Sequence, residues 1–260
     1  MRSTDMADEL FGSKNALPAG VRLATAKRGG VAVTRVEIAR EGLARPRGRY
    51  VTLEMPSVSV LDERDTAVIE ACADELRPLL PPEGAVLVLG VGSHRITADA
   101  LGPRTVQKIL VTMGPQHALP VPGIRPVAAI APGVSSSTGL TLCQLAGALT
   151  QAMQPSAVIC VDSLCSNEGT RLGRTVQFSD TGLYPAQPGH AKHLDAAALG
   201  VPVIAAGIPT VMDSGEGADL VVTPRALDSV IAHGAALLAG AINRALQPRL
   251  SVAQLCWLTG

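Results

Sequence analysis

Aromatic residues are scarce in this chain: one tryptophan, two tyrosines and two phenylalanines make up 2% of its 260 residues. So few rings leave no platform on which nucleic-acid bases could stack. The chain also lacks an excess of either charge, because 22 Lys and Arg residues balance 22 Asp and Glu residues. Net charge therefore gives no reason to expect a nucleic-acid or membrane partner, and we expect neither.

Paired cysteines, a signal segment and a metal-binding motif are also missing. The five cysteines are odd in number and widely spread, which indicates a reducing compartment. The amino terminus has no apolar signal core, and the longest apolar stretch, near Gly234 to Ala241, is too short to span a bilayer. The histidines show no zinc-binding spacing. We expect a cytoplasmic protein without a metal or cofactor.

The order of apolar segments predicts the fold class. From residue 85 onward the chain repeats an apolar strand, a loop and a helix, and this alternation is typical of an α/β protein. It predicts a three-layer α/β/α sandwich with a mostly parallel sheet. Residues 31–38 and 49–56 predict a hairpin or edge pair of strands. We expect residues 1–30 to form a flexible N-terminal arm and residues 31–260 to form a single α/β domain.

Two of the predicted strands each lead to an aspartate. Asp99 follows the strand over residues 85–91, and Asp162 ends the strand over residues 157–161. Ligands bind at the carboxyl ends of strands in parallel α/β sheets, so the two acids are expected to meet there and share a water molecule. A charge at the end of an apolar strand is costly unless it is used or paired, which singles out Asp162. Asp99 has an alternative role, since an acid in a first helical turn favours the helix dipole.

Loops rich in glycine and serine flank these strands. The LGVGSH loop resembles a dinucleotide-binding fingerprint but lacks its third glycine and its later acid, so we expect the glycines to turn the chain sharply. The SSSTG loop can form an oxyanion site, a phosphate site or a helix cap. An acid in the FSDTG segment fits either a site or a tight turn. The candidates for oxyanion or substrate loops are Gly92, Ser93, Gly133, Ser135, Ser136 and Asp180.

Seven blocks of the sequence, in order and spacing, resemble the bacterial spore germination protease family. They are RGRYVTLE, the strand ending in TADALGP, RPVAAIAPGV, VICVDSL, TVQFSDTG, VPVIAAGIPTVMD and VVTPRALD. The resemblance spans nearly the whole chain and implies a fold like that of the hydrogenase-maturation proteases. It places the two catalytic aspartates in the TADALGP and VICVDSL blocks, at Asp99 and Asp162.

The resemblance also implies a function. It indicates an endopeptidase that hydrolyses small acid-soluble spore proteins during germination, with water activated by the aspartate pair. It further implies a homo-oligomeric zymogen of the spore core that cuts its own chain between Asp5 and Met6, releasing a short pro-segment. The chain departs from the family in a shorter segment after VPVIAAGIPTVMD and a changed loop after TVQFSDTG. These departures leave open a catalytically silent binding or regulatory relative in sporulation. The resemblance to the maturation proteases, which place a metal near the corresponding acids, leaves open a metal-assisted peptidase, and the SSSTG loop leaves open a small-molecule enzyme.

Overall fold

The elements of the fold are taken from a computed structural model, which describes residues 4–12, 16–61, 65–114, 123–184, 193–213 and 221–259. The strands are β1 Val21–Arg28, β2 Val31–Ile38, β3 Gly48–Glu54, β4 Val86–Gly90, β5 Val127–Ile130, β6 Ala157–Ser166, β7 Thr175–Ser179, β8 Val203–Asp213 and β9 Val221–Val222. The helices are α1 Ala7–Phe11, α2 Thr66–Leu76, α3 Leu101–Val106, α4 Ser135–Thr138, α5 Leu142–Met153, α6 Ala196–Leu199, α7 Leu227–Leu246 and α8 Val252–Thr259.

The strands form one mixed sheet in the order β1-β2-β3-β7-β8-β6-β4-β5, and β9 pairs with β8. The pairs β4–β5, β4–β6 and β6–β8 are parallel, whereas the other pairs between described strands are antiparallel. The α/β class and the predicted hairpin, formed by β2 and β3, are confirmed. The mostly parallel sheet is a correction: β1, β2 and β3 form an antiparallel meander that joins the sheet through β7.

Helices cover both faces of the sheet and so give the predicted three layers. On one face α2, α3 and α7 pack against the sheet around the largest apolar cluster, and on the other face α5 and α6 cover a smaller one. All of β4 and the first five residues of β6 are buried. Coverage on both faces explains why these buried segments contain no charged or hydrogen-bonding side chain.

The N-terminal residues are packed against the sheet where the structure describes them. Ala7 and Phe11 of α1 are 0% and 1% exposed and contact β1, β2 and β3. Strand β1 pairs with β2 along its whole length. This packing differs from the flexible arm predicted for residues 1–30. A helix of five residues is too short to show a helical period in the sequence, and its stability comes from tertiary contacts.

The long helix α7 is apolar because it is a core element. Its length and composition alone would allow it to cross a membrane, but 67% of its apolar window is buried inside the protein. The helix packs against α2, α3 and the sheet. Core helices have the same composition as membrane-crossing helices, so the composition has an explanation within the fold.

Glycines bring the connection after β4 onto the backbone of β6. A Cβ atom placed at Gly102 would lie closer than 3.0 Å to the carbonyl oxygens of Val161 and Val91, and one at Gly90 would meet the carbonyl of Gly102. Only glycine permits backbones to approach this closely. The start of α3 is therefore held against the ends of β4 and β6, and this fixes the segment that carries Asp99 beside β6.

We expect Gly102→Ala to lower the free energy of unfolding by about 1–3 kcal/mol or more, because the added methyl group must displace backbone atoms. Gly147→Ala in α5 is the matched control, since a Cβ atom there meets nothing within 4 Å. The control is expected to be neutral or to stabilise by up to about 1 kcal/mol. Urea unfolding measures both variants. Equal changes in the two would contradict the close approach at Gly102.

Candidate active site

A cavity of about 870 Å³ opens at the carboxyl ends of β4 and β6. The start of α5 and the loop before α4 form one side of it, and the N-terminal segment and β7 form another. Asp99 and Asp162 both line this cavity. Its volume lies in the range of sites that enclose small ligands or parts of larger ones. The two acids singled out in the sequence are therefore brought to one site.

Asp162 reaches the cavity because it is the first partly exposed residue of β6 after five buried ones. Burial, together with the smaller effect of the nearby charges of Asp99 and Asp5, raises the pKa of Asp162 to about 7. The Ser163 backbone N–H donates to Asp162 Oδ1 at 2.8 Å and partly offsets this rise. Near neutral pH this carboxyl group therefore holds its proton about half of the time.

Asp99 lies at the end of a 3₁₀ turn, Thr97–Asp99, between β4 and α3. The loop before it turns at Gly92, whose φ is +109°, and a Cβ atom there would collide with the backbone oxygen of Asp99. The Ser93 backbone N–H donates to the Asp99 carbonyl at 3.0 Å. Burial raises the pKa of Asp99, and the Ser93 N–H partly offsets the rise. The glycine loop thus wraps around Asp99 and holds it at the cavity.

A third acid, Asp5, enters the same cavity from the N-terminal segment. Its N–H donates to the Cys165 carbonyl at 2.8 Å, and the Cys165 N–H donates to Asp5 Oδ2 at 2.8 Å. Arg45 Nη2 donates to Asp5 Oδ1 at 3.0 Å. The family resemblance implies self-cleavage between Asp5 and Met6. Asp5, the residue before that bond, lines the cavity with Asp99 and Asp162.

Three of the six loop residues predicted for the site line the cavity, namely Gly92, Gly133 and Ser135. The other three are not among the described residues that line it. The Ser93 N–H donates to the Asp99 carbonyl oxygen, and Ser136 is exposed on α4. Asp180 accepts hydrogen bonds at 2.7 Å from the Arg49 N–H and guanidinium groups, and so ties the end of β7 to β3.

Several polar residues of the cavity were not recognised in the sequence. They are Arg45, Gln144, Gln177, Ser179 and Tyr184. Gln177 and Ser179 alternate with apolar residues in the fully buried strand β7, and a polar residue in such a strand is a signal that could have been used. Arg45 lies in a loop with other arginines, and nothing in the sequence distinguishes it from them.

The ligand chemistry of the described residues bears on the metal-assisted alternative. Within the part of the chain that the structure describes, no group of three His, Cys, Asp or Glu side chains is placed to hold a metal ion. Of the acids in the cavity, Asp5 is held by Arg45 and the Cys165 N–H, and Asp162 accepts from the Ser163 N–H. The geometry therefore gives the metal-assisted alternative no ligand set among these residues.

Comparison with known sequences decides the family. A sequence model of the germination protease family, peptidase family A25, matches residues 4–216 of this chain. The chain belongs to the germination protease family. The germination protease of Clostridium perfringens is 31% identical over 85% of this chain and 86% of its own length. Those of Clostridium tetani and Priestia megaterium are 36% and 33% identical over 80% and 82% of this chain, and 68% and 60% of their own lengths.

Family membership confirms the resemblance carried by the seven sequence blocks. The protein is a peptidase with a role in germination. Among solved structures, the [NiFe] hydrogenase maturation protease HycI from Thermococcus kodakarensis is similar at a TM-score of 0.37 and 16% identity. The alignment covers 65% of this chain and 98% of that one.

The raised pKa of Asp162 predicts how stability depends on pH. The folded protein binds this proton more tightly than the unfolded chain, so the group's contribution to stability is lost as pH rises from about 4 to about 7. The side chain of Asp162→Asn does not titrate, so the variant does not lose this stability as pH rises. Relative to the wild type, we expect the variant to gain up to about 4 kcal/mol in unfolding free energy between pH 4 and pH 8, at about 1.4 kcal/mol per pKa unit.

Urea unfolding of both proteins across this pH range measures the difference. Asp228→Asn, at the exposed start of α7, is the control and should show a much smaller pH-dependent difference. A difference between Asp162→Asn and wild type that stays constant from pH 4 to pH 8 would contradict the raised pKa.

Proposed function

We propose that the protein is an endopeptidase that hydrolyses small acid-soluble spore proteins during germination, with Asp99 and Asp162 activating the water. One observation carries this proposal. Two carboxyl groups with raised pKa values line a single cavity, and an acid–hydrophobic segment of the chain's own N-terminus enters it. Such a pair can supply the general base and the general acid for hydrolysis of a peptide bond.

The two carboxyl groups take different roles because they share one proton. Two nearby carboxylates do not readily ionise together, and the pair titrates as a unit. Asp162 is the member with a pKa of about 7, so it holds the shared proton near neutral pH. Asp99 is then the ionised member. We assign Asp99 as the general base and Asp162 as the general acid.

Each step of the proposed reaction moves a proton between named groups. Asp99 takes a proton from water while the water oxygen adds to the carbonyl carbon of the peptide bond. The C=O electron pair moves to the oxygen and forms a tetrahedral oxyanion. When that pair returns, the C–N bond breaks, and the leaving nitrogen takes the proton of Asp162. The products are a carboxyl group and an amine, and proton transfer from Asp99 to Asp162 restores the pair.

The charges around the N-terminal segment favour an acidic peptide as substrate. Asp5 and Asp8 both bind arginines, Arg45 and Arg171, and Met6 between them is 0% exposed. A substrate with an acid, an apolar residue and a further acid in this spacing would find the same partners. Small acid-soluble spore proteins are the substrates that the family resemblance implies, and these contacts favour a cleavage site in them that has an acid before an apolar residue.

The rest of the proposal follows from the same resemblance. The protein is made as a zymogen and removes its first five residues by cutting between Asp5 and Met6. It acts as a homo-oligomer in the cytoplasm of the spore core. The contacts of Asp5 at the cavity support the position of this cut, because they hold the residue before the bond beside Asp162.

Loss of either aspartate should abolish cleavage. We expect Asp99→Asn and Asp162→Asn each to lower kcat for a purified small acid-soluble spore protein by at least about 100-fold, because each removes one half of the acid–base pair. Mass spectrometry of the fragments and of the enzyme's own N-terminus measures both activities. Asp228→Asn is the control and should keep wild-type activity.

Three results would count against parts of the proposal. Cleavage at the wild-type rate by either variant rules out the pair. If the folded wild-type protein cleaves nothing between pH 4 and pH 9, the protein is instead a catalytically silent binding or regulatory relative. Activity that disappears on exhaustive chelation and returns with added metal favours the metal-assisted alternative.

The pH profile should follow the proposed proton positions. We expect kcat/KM to form a bell that falls above about pH 7, as the pair loses its last proton, and falls again in acid as Asp99 becomes protonated. Steady-state rates with a peptide containing an acid–hydrophobic bond give the profile. A plateau that continues unchanged from pH 7 to pH 9 would contradict Asp162 as the proton donor.

A further inference from the structure

The N-terminal segment lies across the cavity as a bound peptide would. At one end the Asp5 main chain and side chain pair with Cys165 of β6. At the other end the Ala7 N–H donates to Gln177 of β7 at 2.9 Å. Because β8 lies between β6 and β7 in the sheet, the segment crosses three strands. The Asp5–Met6 peptide bond is in the middle of this crossing.

The amide of Gln177 holds the segment on both sides of Met6. Its Nε2 donates to the Asp5 carbonyl oxygen at 2.9 Å, while its Oε1 accepts from the Ala7 N–H. The second bond fixes the orientation of the amide, because an N–H can only be paired with Oε1. The N–H of Gln177 therefore points at the carbonyl oxygen of the Asp5–Met6 bond. Gln177 is itself only 7% exposed.

Strand register places Gln177 opposite Asp162. Gln177 pairs with Gly207 of β8, and Gly207 pairs with Asp162 of β6, so the three residues form one row across the sheet. Paired residues in neighbouring strands point to the same face, and the backbones of the outer two are about 10 Å apart. The glycine between them carries no side chain. Gln177 and Asp162 thus lie on the same face of the sheet, on either side of Gly207, and both line the cavity.

We infer that Gln177 is a catalytic residue of the peptidase reaction, an inference that rests on the proposed function. Its Nε2–H binds the carbonyl oxygen of the peptide bond to be cut and stabilises the negative charge that this oxygen gains when water adds to the carbon. Arg45 and the Cys165 N–H hold the side chain before the bond, and so keep the carbonyl within reach. The sequence had suggested backbone N–H groups of the glycine loops for this role.

The test compares full-length wild type with Gln177→Met, which keeps the length of the side chain and removes both the N–H donor and the oxygen that accepts from the Ala7 N–H. The substrate is a peptide that copies residues 3–10 of the chain. We expect kcat to fall about 100- to 1000-fold, as when an oxyanion donor is removed, while KM rises by a smaller factor because two contacts to the uncleaved peptide are also lost. Gln151→Met, at an exposed position of α5, is the matched control.

A second variant separates catalysis from a purely structural role. Gln177→Glu keeps the oxygen that accepts from the Ala7 N–H, so the segment stays docked, but the donor to the Asp5 carbonyl is lost. At a pH where the introduced carboxyl group is ionised, we expect kcat to fall as in Gln177→Met while the variant remains folded. A phosphinate peptide that mimics the tetrahedral intermediate should bind both variants more weakly by the factor by which kcat/KM falls, whereas product peptides should bind unchanged.

The outcomes distinguish the inference from the proposed function. If wild type cleaves the peptide and the folded Gln177 variants keep kcat within threefold, the inference is wrong and the proposed function stands. If Gln177→Met does not fold, the kcat of Gln177→Glu alone tests the inference. If folded wild type cleaves nothing, the proposed function fails and the inference fails with it.

Discussion

The close approach between the β4–α3 connection and the end of β6 is the constraint on which the site depends. Gly90 and Gly102 allow backbone to pack directly on backbone there, and no other residue type fits at Gly102 without movement. This contact brings Asp99, from a loop, to the strand that carries Asp162. Two acids from distant parts of the chain thereby line one cavity.

Burial disfavours the charged form of Asp162, and for the same reason Asp162 can hold a proton to donate in the proposed reaction. The sequence placed Asp162 at the end of its strand, whereas β6 continues to Ser166 and Asp162 lies part-way along it. A carboxyl group in a covered strand loses solvation, which raises the pKa of Asp162 to about 7. A normal surface aspartate would be fully ionised at neutral pH and unable to donate a proton. Perturbed acids of this kind gather at functional sites, where stability is given up for reactivity. Asp5 adds a further negative charge to the cavity, which Arg45 balances.

The sequence could predict those parts of the molecule that local patterns determine. The apolar runs of β4 and of the first half of β6 indicated a covered sheet, and the position of Asp162 at the end of its apolar run followed from them. The strand direction of β7 and the docking of α1 depend on tertiary contacts, which leave no period in the sequence. The contact between Gln177 and the Asp5 carbonyl joins residues far apart in the chain, and only the register of β6, β8 and β7 reveals it.

The most direct test of the account is a ¹³C NMR titration of the aspartate carboxyl groups in the full-length protein. The account predicts that the Asp162 signal titrates near pH 7, and that its midpoint moves to lower pH in Asp99→Asn, because the neighbouring negative charge is removed. A midpoint for Asp162 near pH 4, about the value of an unperturbed aspartate, would contradict the account. A midpoint near pH 7 that is identical in wild type and Asp99→Asn would show that the two acids are not a coupled pair.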